Sequence, residues 1–400
     1  MDWLHIDGAH ASTRRGLRAL CLVLTLAGCG GGVDSGGTGA TASFASGPIT
    51  GFGSVIVNGV RFDDSNASVT DDDGAPRGRD SLRLGMTTDI RGSAITTDAA
   101  GTSTSNASSI AVGSDILGRV DSIDLPARRL VVLGQTVDVN ATTVFDDASL
   151  SGGLAAVALG DVVEVYALFD AATGRYKATR IERKGSVSAF RLRGIVRNFS
   201  PLTKAFNIGS ERISYAGLTS PTLVAPVDGG LLRVRLETVR VGGVWVVAGL
   251  AEGAPKPRDQ DDVRLEGVIG TFTSTTRFSV NGVAVDASRI TPPAGLAAGV
   301  RVEVEGTASG AVLVASKVKV KSPDEEQNQE FEVRGLITSV DAANLRFVLR
   351  GVTVGYSIAA PATDFRNGTL ANLAPGVDVE ARGMLSSDGA RLQAARVTFK

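Results

Sequence analysis

The sequence predicts an all-β protein: a tandem array of about five small five-stranded OB-like β-barrel domains, following a lipoprotein signal and a flexible tether. Three observations predict it. First, three landmarks recur at spacings of about 70 residues, the signature of internal repetition. A glycine inside an opening apolar strand stands at Gly51, Gly118, Gly194, Gly267 and Gly335. A tight hairpin follows at Asn58-Gly59, Leu133-Gly134, Gly209-Ser210, Asn281-Gly282 and Arg350-Gly351. A glycine then opens an alternating strand at Gly85, Gly160, Gly299 and Gly376, with Gly230 the poorer match in the third copy. Second, apolar residues alternate with period two: Val300, Val302 and Val304 against Arg301, Glu303 and Glu305, and again Val377, Val379 and Ala381 against Asp378, Glu380 and Arg382. Third, 49 glycines with only 5% aromatic residues suit short strands and many turns, and argue against long helices.

In chain order, residues 1–28 read as a lipoprotein signal peptide. Arg14, Arg15 and Arg18 form a basic region, and Ala19–Ala27 a short apolar one. Leu26-Ala27-Gly28-Cys29 resembles a bacterial lipobox, with cleavage between Gly28 and Cys29 and lipidation of Cys29. Nine apolar residues fall far short of the ~20 needed to span a bilayer. Thr13-Arg14-Arg15-Gly16-Leu17 faintly resembles a twin-arginine export signal, but an ordinary basic region is the preferred reading. Residues 29–46 are the lipidated cysteine and a Gly/Ser/Thr tether without apolar periodicity. The repeats are expected at 47–113, 114–185, 186–253, 263–321 and 331–400, with polar linkers at 254–262 and 322–330.

Within the repeats, Val55–Val57 and Val60–Phe62 read as strands joined by an Asn-Gly turn, whose two central residues take positive φ. Asp71-Asp72-Asp73-Gly74 marks another turn. The Ser/Thr/Ala/Gly-rich stretch 96–109 reads as a long mobile hairpin. A short Ala/Leu/Gly segment between the third and fourth strands, at 154–159 and 370–373, suits one helical turn. Five strands broken after the third, in about 70 residues, match an OB-like Greek-key barrel.

The run Gly51-Phe52-Gly53-Ser54-Val55-Ile56-Val57-Asn58-Gly59 resembles the opening of bacterial lipoproteins built of repeated small β domains. Gly118-Arg119-Val120 through Gly160-Asp161-Val162-Val163-Glu164-Val165 resembles their repeating unit, domain-of-unknown-function family 5666. The resemblance implies an envelope lipoprotein of small β domains and supplies no catalytic residues. The third copy departs from it, lacking a clear Gly-Asp before its fourth strand.

Cleavage narrows the chemistry. Both histidines, His5 and His10, precede Cys29; Cys21 is lost with the leader, and Cys29 carries lipid. A Ser-His-Asp triad, a Cys/His metal site and a disulfide framework are therefore not expected. Removing three arginines and two aspartates from 41 basic and 42 acidic residues leaves 38 and 40, a net charge of −2. That balance offers no footprint for nucleic acid, and Tyr166, Tyr176, Tyr215, Trp245 and Tyr356 fall singly rather than as a stacking platform.

Carboxylate chemistry survives. Asp63, Asp64, Asp146 and Asp147, in Phe-Asp-Asp pairs, are candidates for glycoside hydrolysis. Adjacent strand residues point to opposite faces, however, and capping of turns through Asx hydrogen bonds is the preferred reading. Asp71, Asp73 and Gly74, with Asp80 near the closing position, partly resemble a calcium loop, but its first position would be Val69, which cannot coordinate. No cofactor is expected. The sequence thus points to a non-enzymatic, lipid-anchored outer-membrane protein, facing periplasm or cell surface and acting as a structural, spacer or binding/adhesion module of tandem β domains. An envelope glycan or another envelope protein is its expected partner, glycan binding is the alternative activity, and a carboxylate-dependent hydrolase comes third.

Overall fold

The computed structural model describes residues 41–218 and 224–400. Cys29, Gly28 and most of the tether lie outside them. The described chain forms five closed barrels, each with the same circuit of five strands. In the second, Ile116–Asp124, Arg129–Val132 and Gln135–Asp138 form an antiparallel meander. Val162–Asp170 pairs antiparallel with the first strand, and Arg175–Lys184 closes the circuit, antiparallel to the fourth strand and parallel to the third. The order four-one-two-three is a Greek key, and the fifth strand removes the open edges. The other four repeats close the same way: strand three pairs parallel with strand five through Val60↔Ser103, Ile213↔Trp245, Val285↔Leu313 and Val354↔Leu392.

Each circuit is tied at one point by a reciprocal pair of backbone hydrogen bonds. Val120 N–H donates to Asp161 O and its carbonyl accepts from Gly160 N–H, both at 2.9 Å. Ile49 makes the same exchange with Met86 and Gly85, Val196 with Gly230 and Gly229, Ile269 with Val300 and Gly299, and Ile337 with Val377 and Gly376, all at 2.8 or 2.9 Å. The tying glycine has φ between +78° and +87° in all five repeats, a conformation glycine adopts without the steric penalty of a Cβ. This register corrects two landmarks. The equivalent residue in repeat three is Gly229, one before the expected Gly230. The first-strand glycine of repeat one is Gly47, two residues before Ile49, rather than Gly51. A Cβ at Gly47 would meet the Asn58 side chain at 2.5 Å, just as one at Gly267 would meet Asn281 at 2.4 Å and one at Gly118 would meet Leu133 at 2.2 Å. The glycine lets the hairpin residue fold back over its own first strand.

Gly51 has a different duty. The strand Ser43–Phe52 runs through the centre of the molecule, with nine of its ten residues buried. Its first half pairs in parallel with Asp262–Ser274 of repeat four, Ser43↔Asp262 to Ser46↔Leu265, so the expected tether ends four residues early and its last residues form strand. Its last residues pair in parallel with Phe331–Asp341 of repeat five, Gly51↔Glu332 and Phe52↔Val333. A Cβ on Gly51 would lie 2.6 Å from the Glu332 carbonyl oxygen. Repeats two and three join separately, through Leu117↔Arg191 and Ile116↔Leu192.

Side-chain packing follows these seams. The five barrels share three apolar clusters: one across repeats one and five, one across two and three, and one centred on repeat four. Strand alternation sends Ala45 into the first of these and Phe44 into the third. Burying Phe44 to 1% exposure contributes roughly 2–3 kcal/mol to holding repeats one and four together. Tyr166, on strand four of repeat two, packs into the cluster of repeats one and five. Tyr176, Trp245 and Tyr356 are likewise buried, so these aromatics pack the cores.

Two local expectations resolve differently and a third is met. The Ser/Thr-rich stretch is ordered: Ser103–Val112 is the fifth strand of barrel one. Ser105 is buried and shares hydrogen bonds with Ser43 and Ser93, which explains a strand so poor in apolar residues. The helical turn after strand three is present as short 3-10 segments at Gly153–Ala156 and Leu370–Asn372. The linker after repeat four holds a short helix, Pro323–Gln327, started by a capping box between Ser322 and Glu325.

A buried ion network crosses from repeat two toward repeat one. Arg180 pairs with Glu182 at 2.5 Å and Asp146 at 3.2 Å, and donates to the Leu84 carbonyl of repeat one at 3.3 Å. Burial alone would raise the Glu182 carboxyl, but Arg180 and Lys184 outweigh it and hold it down to about 2.

Two predictions arise here. Gly160→Ala and Gly85→Ala impose the same left-handed strain, but Gly160 faces open space whereas a Cβ at Gly85 would lie 2.3 Å from the Thr179 carbonyl of repeat two. Calorimetry should give about 1 kcal/mol lost for Gly160→Ala and about 3 kcal/mol for Gly85→Ala; equal losses would refute the tight seam between repeats. Second, the Glu182 carboxyl is depressed on folding, so the stability it contributes is complete above its unfolded value near 4.5 and is lost as pH falls toward 2. The loss should be roughly 3 kcal/mol over that window, and Glu182→Gln should flatten that part of the acid-stability curve.

Candidate functional site

A cleft of about 470 Å³ lies where repeats one to four meet. The central strand contributes Phe44, Ser46 and Gly47 to its wall, and the Asp71–Gly74 turn overhangs it. Strand Thr87–Gly92 adds Asp89 and Arg91. Repeat three supplies Arg193 and Arg233 from strands Phe190–Ser200 and Leu231–Leu236, and the hairpin of repeat four supplies Asn281. The connection between repeats one and two, with Ser114 and Asp115, completes it.

Its charges fall into two groups. Arg193 and Asp115 form a finished structural pair. They lie 2.7 Å apart, both buried, with Arg193 Nε donating to the Gly253 carbonyl and Asp115 Oδ2 accepting from Ala167 N–H at 2.9 Å. The Tyr176 hydroxyl donates to the Arg193 carbonyl at 2.5 Å. Such a pair fixes the angle between repeats two and three. Asp72 is different. Its side chain is only 4% exposed, with Arg233 Nε at 3.0 Å and Arg191 at 3.7 Å, yet neither carboxylate oxygen accepts an aligned hydrogen bond. Burial pushes its carboxyl above the usual range against the pull of Arg233 and Arg191. The half-buried Asp89 is also raised, by burial acting against a hydrogen bond from Ser46 and the nearby arginines. Ser114 Oγ and Asn281 Oδ1 are buried without partners as well.

The carboxylates singled out by sequence lie elsewhere, and those of Asp63, Asp146 and Asp147 are occupied. Asp63 caps a turn, accepting from Ser65 N–H at 2.9 Å. Asp146 holds Arg180, and Asp147 accepts from the Thr353 hydroxyl of repeat five at 2.7 Å. Asp64 is buried, with its carbonyl taking Arg79 at 3.2 Å. The two Phe-Asp-Asp pairs are not brought together. In the loop resembling a calcium site, Asp71 Oδ1 accepts from Asp73 and Ala75 N–H at 3.1 and 2.8 Å, and Asp73 pairs with Arg191 at 3.2 Å. Asp71 and Asp73 therefore build the turn. Asp72 between them enters the cleft, and sequence reading passed over it. Its one available signal was its place in a three-aspartate run, where two side chains can serve a turn and the middle one is left to point inward.

No curated protein matches the chain. Three stretches, residues 118–182, 266–319 and 334–398, match the family described as domain of unknown function (DUF5666), and each falls within one closed barrel. The second, fourth and fifth repeats are thus each similar to that family.

Proposed function

We propose that the protein is a lipid-anchored, non-enzymatic module of the bacterial cell envelope, attached to the outer membrane through Cys29, whose interlocked barrels serve as a binding platform. The observation that carries this reading is the strand pairing between repeats. Ser43–Phe52 joins three barrels edge to edge, and Leu117↔Arg191 joins two more. An extended spacer would keep its repeats apart on flexible linkers. Repeats fused through shared sheet and shared cores instead hold side chains from several barrels in fixed relation, which is what a recognition surface requires.

The lipobox at Leu26–Cys29 supports the anchor, and the loss of both histidines with the leader supports a role without histidine-based catalysis. No helix among the described residues is long and apolar enough to cross a membrane. The partner is an envelope glycan or another envelope protein; the polar cleft at the junction of four repeats favours the glycan.

The anchor is tested by metabolic labelling with an alkyne palmitate in the native host. Label should enter the wild-type protein and be lost in Cys29→Ser, which should also leave the outer-membrane fraction. Unlabelled wild-type protein, or equal label in the variant, would overturn the proposal. Protease treatment of intact against permeabilised cells then reports whether the barrels face outward or into the periplasm.

A further inference from the structure

The chain as a whole is close to neutral, but repeat three is not. Residues 186–253 hold eight basic and four acidic side chains. Five of the eight are spent on carboxylates. Arg191, Arg233 and Arg235 meet the Asp71–Asp73 turn, Arg193 meets Asp115, and Arg240 meets Glu211. The other three, Arg197, Lys204 and Arg212, are exposed, and none pairs with a carboxylate among the described residues.

These three share one side of the barrel. Arg197, on strand Phe190–Ser200, lies opposite Asn207 of Ala205–Ile208, which lies opposite Arg212 of Glu211–Ser214. Residues opposite one another in register share a face, so both arginines stand on the outer surface, two strand spacings or about 10 Å apart. Lys204 closes the hairpin that joins the first two of these strands, and its carbonyl accepts from Tyr215 N–H at 2.9 Å. At the tip of that hairpin Leu202 is 92% exposed, the most exposed large apolar side chain among the described residues.

The tip is held rigidly from beneath. Phe199 and Tyr215 stack with ring centres 6.1 Å apart, and Phe199 N–H donates to Asp228 at 2.9 Å. That bond fixes the loop bearing Val227, itself 57% exposed, to the same strand end. The carboxylates of repeat three leave the cations free, since Asp228 is engaged by Phe199 and Glu211 turns to Trp245 and Arg240. A soluble polyanion would use the cations and gain nothing from Leu202. An apolar groove on another protein would use Leu202 and leave the cations unmet. A bilayer containing acidic phospholipid uses both, with phosphates at the depth of the basic side chains and acyl chains just beyond.

We propose that this hairpin face of repeat three docks on an anionic phospholipid surface, with Leu202 entering the interface and Arg197, Lys204 and Arg212 lying among the headgroup phosphates. The contact goes beyond a lipid anchor. It sets which side of the barrels faces the membrane, and it does not require lipid on Cys29.

The test uses the mature chain carrying Cys29→Ser, which lacks the proposed anchor. It is sedimented with millimolar lipid as vesicles of phosphatidylcholine, or of phosphatidylcholine and phosphatidylglycerol in equal parts. The chain should partition into the anionic vesicles roughly tenfold better than into the neutral ones, and added salt should weaken the difference. Leu202→Ser, and separately the double variant Arg197→Gln with Arg212→Gln, should each lower that partition several-fold at an unchanged melting temperature. Val239→Ser, on the exposed hairpin between strands four and five of the same repeat, should bind as the parent does. Leu202→Trp should be quenched by brominated acyl chains, while the buried Trp245 is not. No partition into anionic vesicles, equal partition in the Leu202→Ser or the double arginine variant, or an unquenched Leu202→Trp would each overturn the proposal. Full displacement by soluble polyphosphate with no effect of Leu202→Ser would replace it with a polyanion site. Because the anchor is read by labelling at Cys29 and this contact without it, either can fail while the other stands.

Discussion

Everything in this protein depends on closing a five-stranded sheet within about sixty residues, and the reciprocal backbone exchange near the end of each first strand achieves it. One apolar residue, Ile49, Val120, Val196, Ile269 or Ile337, gives its N–H and carbonyl to the two residues that begin the return toward strand four. The return is possible because the first of those two is a glycine at positive φ. A side chain there would strain the turn, at a cost set by what its Cβ meets: open space at Gly160, the Thr179 carbonyl of repeat two at Gly85. Even repeat three, which has drifted furthest in sequence, keeps this exchange through Gly229 and Gly230.

Much of this was legible because its causes are local. Hairpins at Asn58-Gly59 and Asn281-Gly282 declare themselves through residues that tolerate positive φ, and strands through alternation. Leu133 and Arg350 show where the local rule weakens: both take φ near +50° on the strength of the glycine that follows and the strands that flank them. What the sequence did not disclose is long-range. Nothing near Ser43 announces that it pairs with Asp262, more than two hundred residues away, so the end of a polar tether and the start of a strand look alike. Gly51 is misleading for the same reason. It resembles the landmark glycines in its surroundings, while its true constraint is a carbonyl of repeat five. The fifth strand of repeat one was hidden by composition, since its serines satisfy one another in place of apolar packing.

The candidate site was less legible still, and for a stated reason. Sequence reading weighs pairs of neighbouring residues, whereas the cleft draws Asp72 from a turn, Ser114 from a connection, Arg233 from a third barrel and Asn281 from a fourth. Asp71 and Asp73 attracted notice because they have the spacing of a loop that binds a cation, and they turn out to spend their oxygens on Asp73 N–H, Ala75 N–H and Arg191. Alternation within three aspartates does the rest. Once the outer two are engaged by the turn, the middle one is carried to the other side, under Arg233 and against Gly113, where a Cβ would come within 3.4 Å of its own.

The two levels of organisation bear on each other. A barrel of sixty residues buries a small core and is marginal alone; here pairs of barrels merge their cores, and Phe44 and Tyr166 cross into neighbours. Sharing core in this way forces the barrels together along Ser43–Phe52, and round bodies joined edge to edge cannot fill the space at their meeting point. The cleft is the geometric remainder of that packing. Its lining is polar because it is built from the outward faces of strands and from their turns, the parts that a lone barrel would show to water. Docking removed that water and left Asp72 beside Arg233 and Arg191 without an aligned hydrogen bond, and Ser114 Oγ without a partner. The arrangement that stabilises five weak barrels is thus the same one that creates a sheltered polar cavity, and a chain of unlinked repeats would have neither.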